Sequence, residues 1–240
     1  DILTLDRETL SIILPIYAFF AAALPVWFLL APRDYLSSFM KIGVFIALII
    51  GVFIINPVIQ FPAIIPDFIG GGGPVVAGPV WPFISITIAC GAISGFHAFV
   101  GSGTTPKMLN KWDDIRVVGF GAMLVESLVG VMALIAATVL HPADYFAINS
   151  TPEAFAKLGM AVVDLPALSE AIGMDLEGRT GGAVTLAVGM ASIFAGVEWF
   201  SHLTKYFYQF VIMFEAVFIL TAIDAGTRTA RYLIQDFLGN

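Results

Sequence analysis

Residues 10–30 read LSIILPIYAFFAAALPVWFLL, a run without a single formal charge. A helix crossing the hydrocarbon core of a bilayer needs about 20 mostly apolar residues, and this run supplies them. Trp27 falls near one end, where an indole suits the membrane–water boundary. Pro15 and Pro25 lie inside the run, so kinks are expected where neighbouring groups can satisfy the freed carbonyls. The string Ala31-Pro32-Arg33-Asp34 is read as its stop.

The same pattern recurs outward from this run. A second span is expected over residues 39–55, ending at Asn56-Pro57. Residues 57–79 hold several prolines, Asp67 and the run Gly70-Gly71-Gly72-Gly73, which reads as a flexible connection or a re-entrant piece. No Lys follows that glycine run, so it does not match a phosphate-binding loop. A third span begins at Trp81-Pro82 and runs to about Val100, where Gly101-Ser102-Gly103-Thr104-Thr105-Pro106-Lys107 interrupts it. A fourth covers residues 117–140 and carries Glu126 in its middle. Residues 141–180 are rich in acids and read as an extramembrane loop with room for a short helix. A fifth span is expected over 182–200 and a sixth over 207–222. The tail, 224–240, reads as an interfacial amphipathic helix or the start of another span. The fold class is therefore all-α integral membrane: a polytopic helical bundle of about six transmembrane segments, one region over residues 1–240.

Composition agrees. Apolar residues make up 59% and charged residues 12% of the 240, against roughly 25% charged in a soluble domain. Such a chain must turn apolar surface towards lipid. The net charge of −7 is concentrated in one loop and at the ends, and the eleven Lys and Arg form no basic stripe. Nucleic acid is not an expected partner. Cys90 is the only cysteine, which rules out an internal disulfide, and no metal or other cofactor is expected. The chain starts at Asp1, with Asp6, Arg7 and Glu8 ahead of the first apolar run. That is not a signal-peptide pattern, and a fragment of a longer chain is expected.

Lys and Arg in short connections set orientation. Arg33 and Lys41 mark the first connection as cytoplasmic, and Lys107, Lys111 and Arg116 mark the third. Six simple spans would then place Arg228 and Arg231 outside. Either residues 182–222 are not two full spans, or these arginines bind something within the protein.

Ionisable groups inside spans are costly and suggest a pathway, a pair or a substrate site. Here they are His97, Glu126, Glu198 and Glu215, with His202 and Asp224 near span ends. Glu198 and His202 are four apart and would share a helix face. A carboxyl group that is desolvated can bind and release a proton near neutral pH, as a proton-coupled carrier requires. The plainer alternative is a neutral hydrogen-bond partner between helices. Gly91 and Gly95 form a small-xxx-small pair suited to close helix packing. Beyond them, Gly101 and Gly103 loosen the helix while Ser102, Thr104 and Thr105 supply hydroxyls, which reads either as a discontinuous transporter helix or as a plain helix C-terminus leading to a cytoplasmic turn. Gly182, Gly189 and Gly196 repeat every seven residues and read as a helix-packing seam.

Two strings carry a family resemblance: SGFHAFVGSGTTPKML (residues 94–109) and FEAVFILTAIDAGTRTAR (residues 214–231). Together with the order of spans between them, they resemble the carbon starvation protein A family of bacterial inner-membrane transporters. The resemblance implies uptake of peptides or pyruvate during nutrient limitation by proton coupling. It also implies a longer full chain and a fold related to inverted-repeat transporters of the amino-acid/polyamine type. The expected partners are a small-molecule substrate with its coupling proton, membrane lipid and the remaining spans. The matching strings mark Ser94, His97, Ser102, Thr104, Thr105, Glu215, Asp224, Thr227 and Arg228 as candidate pathway residues, beside Glu126, Glu198 and His202. Arg228 could hold a substrate carboxylate bidentately, or could neutralise Asp224 at a helix end. The competing reading is a structural or assembly subunit of a larger membrane complex. An intramembrane enzyme would need a nucleophile or metal cluster that the sequence does not offer.

Overall fold

The computed structural model describes residues 5–75, 78–93, 95–197 and 202–239. The side chains of Arg7, Asp67 and residues 95–97 are outside that description. The described residues form helices and connecting turns, with no strand among them. In chain order the helices are α1 (Arg7–Ala23), α2 (Leu30–Ile55), α3 (Pro66–Ile69), α4 (Val80–Ile93), α5 (Gly95–Gly103) and α6 (Thr105–Met108). After a π-helical turn (Arg116–Gly121) come α7 (Ala122–Thr138), α8 (Pro142–Asn149), α9 (Pro152–Ala156) and α10 (Leu165–Ile172). The chain finishes with α11 (Ala183–Ala195) and α12 (Thr204–Leu238).

Four stretches are long and apolar enough to cross a membrane: Leu30–Ile55, Val80–Met108, Arg116–Thr138 and Thr204–Leu238. Glu8–Ala23 and Ala183–Ala195 are apolar but shorter. Large side chains such as Phe53, Ile93 and Val117 stand exposed on them, which suits a lipid-facing or partner-facing surface and not water.

Several boundaries differ from the sequence reading. The first helix stops at Ala23, because proline at 25 biases the residue before it away from helical backbone. Leu24 is accordingly extended, with φ −75° and ψ 154°. Trp27 thus sits in the turn, and Arg33 and Asp34 lie inside α2 instead of in a loop. They cannot serve as a cytoplasmic-loop marker. The stretch expected to be the fifth span is the 13-residue α11. The sixth span and the tail are one continuous 35-residue helix, α12. The described residues of the connection, 56–75 and 78–79, keep their loop character apart from the single turn of α3.

The chain divides into two compact units. One comprises residues 41–91 and 122–215. Its centre is α11, whose Thr185, Ala187, Val188, Gly189, Met190, Ala191 and Ile193 are buried, and α11 packs on α7 and α8. The heptad glycines explain the closeness. A Cβ at Gly189 would land on the Ala136 carbonyl of α7, and one at Gly196 would come within 3.0 Å of Ile55. Gly182 instead caps α11 with φ +84°. Gly91, expected to pack tightly, has nothing within 4 Å of a Cβ position among the described residues.

The acidic segment expected to be a loop folds into α8, α9 and α10 around one buried carboxylate. Asp144, 0% exposed, accepts hydrogen bonds from the backbone N–H of Val163 and of Asp164, both at 2.8 Å. Removing it strands two buried donors that met a charged acceptor. Asp144→Ala is therefore expected to destabilise the protein by about 3 kcal/mol. Thermal unfolding of purified protein in detergent measures this, and an unchanged midpoint would rule out that role.

Candidate functional site

The other unit comprises residues 1–40, 92–121 and 216–240, and it gathers most of the ionic chemistry. Its spine is the C-terminal part of α12. Residues 221, 224, 228 and 231 recur at helical spacing, so Thr221, Asp224, Arg228 and Arg231 line one face. That face meets α1 and the start of α2.

The α1 end comes first. A helix terminus leaves its last carbonyls without intrahelical donors, and Pro25 prevents the chain from continuing to supply them. Two arginines of α12 do so instead. Arg228 donates from Nη2 to the Ala21 carbonyl. Arg231 donates from Nη1 to the carbonyls of Ala22 and Ala23, at 2.5 and 3.2 Å. Positive charge is also favoured at this end of a helix dipole. Arg228 is only 1% exposed, so its bond to Ala21 is made away from solvent, while those of Arg231 lie nearer the surface.

One turn earlier on α12, Asp224 is 0% exposed. Its Oδ2 lies 2.7 Å from Arg33 Nη2 and accepts a 2.9 Å hydrogen bond from the Tyr17 hydroxyl. Tyr17 in turn accepts from Arg33 Nη1 at 2.9 Å. Arg33 Nη2 also pairs with Asp34 Oδ1 at 2.9 Å, and Thr221 donates to that same Oδ1 at 3.2 Å. Asp224 Oδ1 and Arg33 Nε have no hydrogen-bond partner among the described residues. One guanidinium thus serves two carboxylates.

The opposite face of this segment holds the interrupted helix. Thr104, between α5 and α6, shares a 3.0 Å hydroxyl–hydroxyl bond with Thr229. Gly103 permits it: a Cβ there would stand 3.0 Å from the Thr229 methyl. Lys107 sits 3.4 Å over the Tyr232 ring, a cation–π contact. The interruption expected over 101–107 is a one-residue irregularity: Thr104 keeps a helical backbone (φ −95°, ψ −51°) and its N–H still reaches the Val100 carbonyl at 3.1 Å.

Of the residues expected from sequence, the structure brings Thr104, Asp224 and Arg228 into this unit's interior. Thr227 bonds back to the Ile223 carbonyl, and exposed Ser102 bonds back to Ala98. Thr105 opens α6. Glu126 (exposed) and Glu215 (half-buried) belong to the other unit, as does exposed His202. Ser94, Glu198 and the His97 side chain lie outside the described residues, and with them the proposed pairing of Glu198 with His202. Sequence reasoning missed Tyr17, Arg33, Asp34, Thr221 and Thr229 as members of this cluster, whereas Arg231 does bind within the protein, one of the two alternatives the sequence offered for it. The available signal was the seam 221–224–228–231, visible once the tail is read as helix.

Comparison with known proteins gives a consistent result. The family model described as carbon starvation protein CstA matches residues 1–240. The peptide transporter CstA of Bacillus subtilis (strain 168) is 80% identical over 239 residues, covering 100% of this chain and 40% of that protein. The peptide transporter CstA of Helicobacter pylori (strain ATCC 700392 / 26695) is 48% identical over 257 residues, covering 100% of this chain and 37% of its own length. The pyruvate/proton symporter BtsT of Escherichia coli (strain K12) is 42% identical over 277 residues, covering 99% and 38%. The chain thus spans about two fifths of the length of the curated relatives it matches. No solved structure matches it.

Proposed function

This chain belongs to the carbon starvation protein CstA family, and from that premise we propose that it forms part of a proton-coupled importer of small carboxylates or peptides in the bacterial inner membrane. The observation that carries the reading is the Tyr17–Arg33–Asp34–Asp224 cluster. Charged groups on apolar helices are expensive, and in transporters they mark substrate and ion routes. The substrates in the relatives' names, peptides and pyruvate, bear a carboxylate that a guanidinium can hold.

Broken helices support the same reading. In secondary transporters, interrupted helices expose backbone groups near the substrate site. Here α1 ends at Ala23, where its carbonyls are met by another helix's arginines, and the α5–α6 helix carries a one-residue irregularity at Thr104. An inverted-repeat arrangement of the whole protein is part of this reading, with Thr104, Asp224 and Arg228 as its pathway residues in this unit; Ser94, His97, Ser102, Thr105, Glu126, Glu198, His202, Glu215 and Thr227 stay candidates on the sequence alone.

The test is uptake of labelled pyruvate and of a labelled dipeptide into proteoliposomes containing the full-length protein. An inward proton gradient is expected to raise accumulation of one of them several-fold above the no-gradient level. Folded protein that accumulates neither under a proton or a sodium gradient would overturn the reading and favour a structural subunit.

A further inference from the structure

We infer that Arg33 is the receptor for the substrate's carboxylate and that Asp224 is its resident occupant, displaced when a proton neutralises it. The inference rests on the transport reading above and gives it a coupling device.

Three observations carry it. The first is the shared guanidinium. Nη2 of Arg33 is contacted by Asp224 Oδ2 at 2.7 Å and by Asp34 Oδ1 at 2.9 Å. A third carboxylate arriving from a substrate would meet two like charges already seated. The second is the pair of atoms without partners: Asp224 Oδ1 and Arg33 Nε, among the described residues. Oδ1 offers an acceptor position where a proton can reside, and Nε–H offers a donor for an incoming carboxylate. Together with Nη2, the Nε–H edge presents the two parallel donors that suit bidentate carboxylate recognition. The third is the difference in access. Arg33 keeps 21% of its side chain exposed, with Nε itself still covered, whereas Asp224 keeps 0%.

Charge around the site sets the direction of the coupling. Asp224 faces Tyr17 from α1, Arg33 and Asp34 from α2, and Arg228 from its own helix. Arg228 is committed to the Ala21 carbonyl, so Arg33 is the cation that can change partners. With Asp224 ionised, both carboxylates compensate Arg33 and a substrate anion is opposed. When a proton adds to Oδ1, Asp224 becomes a neutral acid and no other bond is made or broken. Arg33 then keeps Asp34 as its one anionic partner and can accept the substrate's carboxylate in place of Asp224. Release of the proton restores the Asp224–Arg33 pair and expels the substrate. Linkage makes the two effects equal: the factor by which a proton favours substrate is the factor by which substrate favours the proton.

Tyr17 positions the pair. It donates to Asp224 and accepts from Arg33, so it holds the two in register without carrying charge.

The experiment uses full-length protein in proteoliposomes, with the substrate found to be transported and its carboxamide analogue as probes. In the wild type, binding of the carboxylate is expected to weaken by about tenfold from mildly acidic to mildly alkaline pH, within the usual range of coupling factors. Binding of the carboxamide is expected to be weak and flat. Asp224→Asn fixes the neutral state. It is expected to bind the carboxylate equally at all these pH values and to exchange labelled for unlabelled substrate. It should no longer accumulate substrate against a gradient. Arg33→Gln is expected to lose carboxylate affinity by about 10- to 100-fold, the effect of removing hydrogen bonds to a charged group. Tyr17→Phe keeps both charges but removes one donor to the carboxylate. The pH at which binding is half lost should then rise, which a merely structural role would not produce. It also provides a readout should Asp224→Asn fail to fold. Wild-type accumulation combined with gradient-driven accumulation by Asp224→Asn, or an unshifted profile in Tyr17→Phe, would overturn the inference and leave transport standing. No accumulation by the wild type would instead overturn the transport reading itself.

Discussion

Arg228→Ala is expected to remove most of the folded protein. The guanidinium is 1% exposed and donates to the Ala21 carbonyl at the end of α1. Its charge also helps to balance Asp224, one turn away on the same helix. Truncation leaves a buried carbonyl without its donor and a buried carboxylate with less compensation. Removing a hydrogen bond made by a charged group costs about 1.5–3 kcal/mol, and the stranded buried carbonyl adds to that. Whole domains are stable by only about 5–15 kcal/mol, so a loss of that size shows as a fall in yield of monodisperse protein and in thermal midpoint. Arg228→Lys keeps the charge but presents a single ammonium, which lacks the planar fork of the guanidinium. It should fall between the two. Detergent-solubilised protein with an unchanged midpoint in Arg228→Ala would show that α1 does not depend on this cap.

Gly189→Val is the second large effect. A Cβ at 189 would coincide with the backbone carbonyl of Ala136 on α7. A clash with a flexible side chain can relax, but a helix backbone must move as a body. Overpacking a core costs about 1–3 kcal/mol and occasionally more. This position belongs at the upper end, because α11 and α7 would have to separate along their whole contact. The neighbours Val188, Met190 and Ala191 are buried in the same layer and would lose their packing together. Gly189→Ala introduces the clash without the extra methyls and should lose less. Limited proteolysis and thermal unfolding measure the difference, and a Gly189→Val protein as stable as wild type would rule out the close approach.

The class of the fold is legible in the sequence because charge is scarce and apolar runs are long, and both are properties of composition that tertiary contacts cannot mask. Boundaries are less so. Pro25 reads as a kink within a span, yet its effect on Leu24 ends α1 and begins a turn. Arg33 and Asp34 look like loop residues because charges usually lie outside membranes. Here they are tolerated inside α2 because Asp224, Tyr17 and Thr221 receive them. The tail beyond Ala222 separates from its helix in a sequence reading for the same reason. Its polar residues lower the local hydropathy, but Asp224, Arg228 and Arg231 meet partners in α1 and α2, and Thr229 meets Thr104 on another face.

That explains the candidate site as well. Asp224, Arg228 and Thr104 stand in the strings that carry the family resemblance, and their partners do not. Tyr17 and Arg33 are separated from Asp224 by nearly the whole chain, and nothing in local spacing reports such a pairing. The glycine seam is readable because helical packing leaves a periodic mark. Gly91 shows the limit of that rule, since its spacing is right and its surroundings are open among the described residues.

The arginine cap of α1 also sets an order of events during synthesis. Arg228 and the Ala21 carbonyl are 207 residues apart in the chain. At about 5–20 residues per second, a ribosome takes roughly 10–40 s to travel that distance. During that interval α1 stands with its closing bonds not yet made. Its terminal carbonyls must be met by water or by the insertion machinery until α12 arrives. Synthesis of α12 is then the step that commits α1 to its place, and nascent chains arrested before residue 228 should leave α1 open to protease.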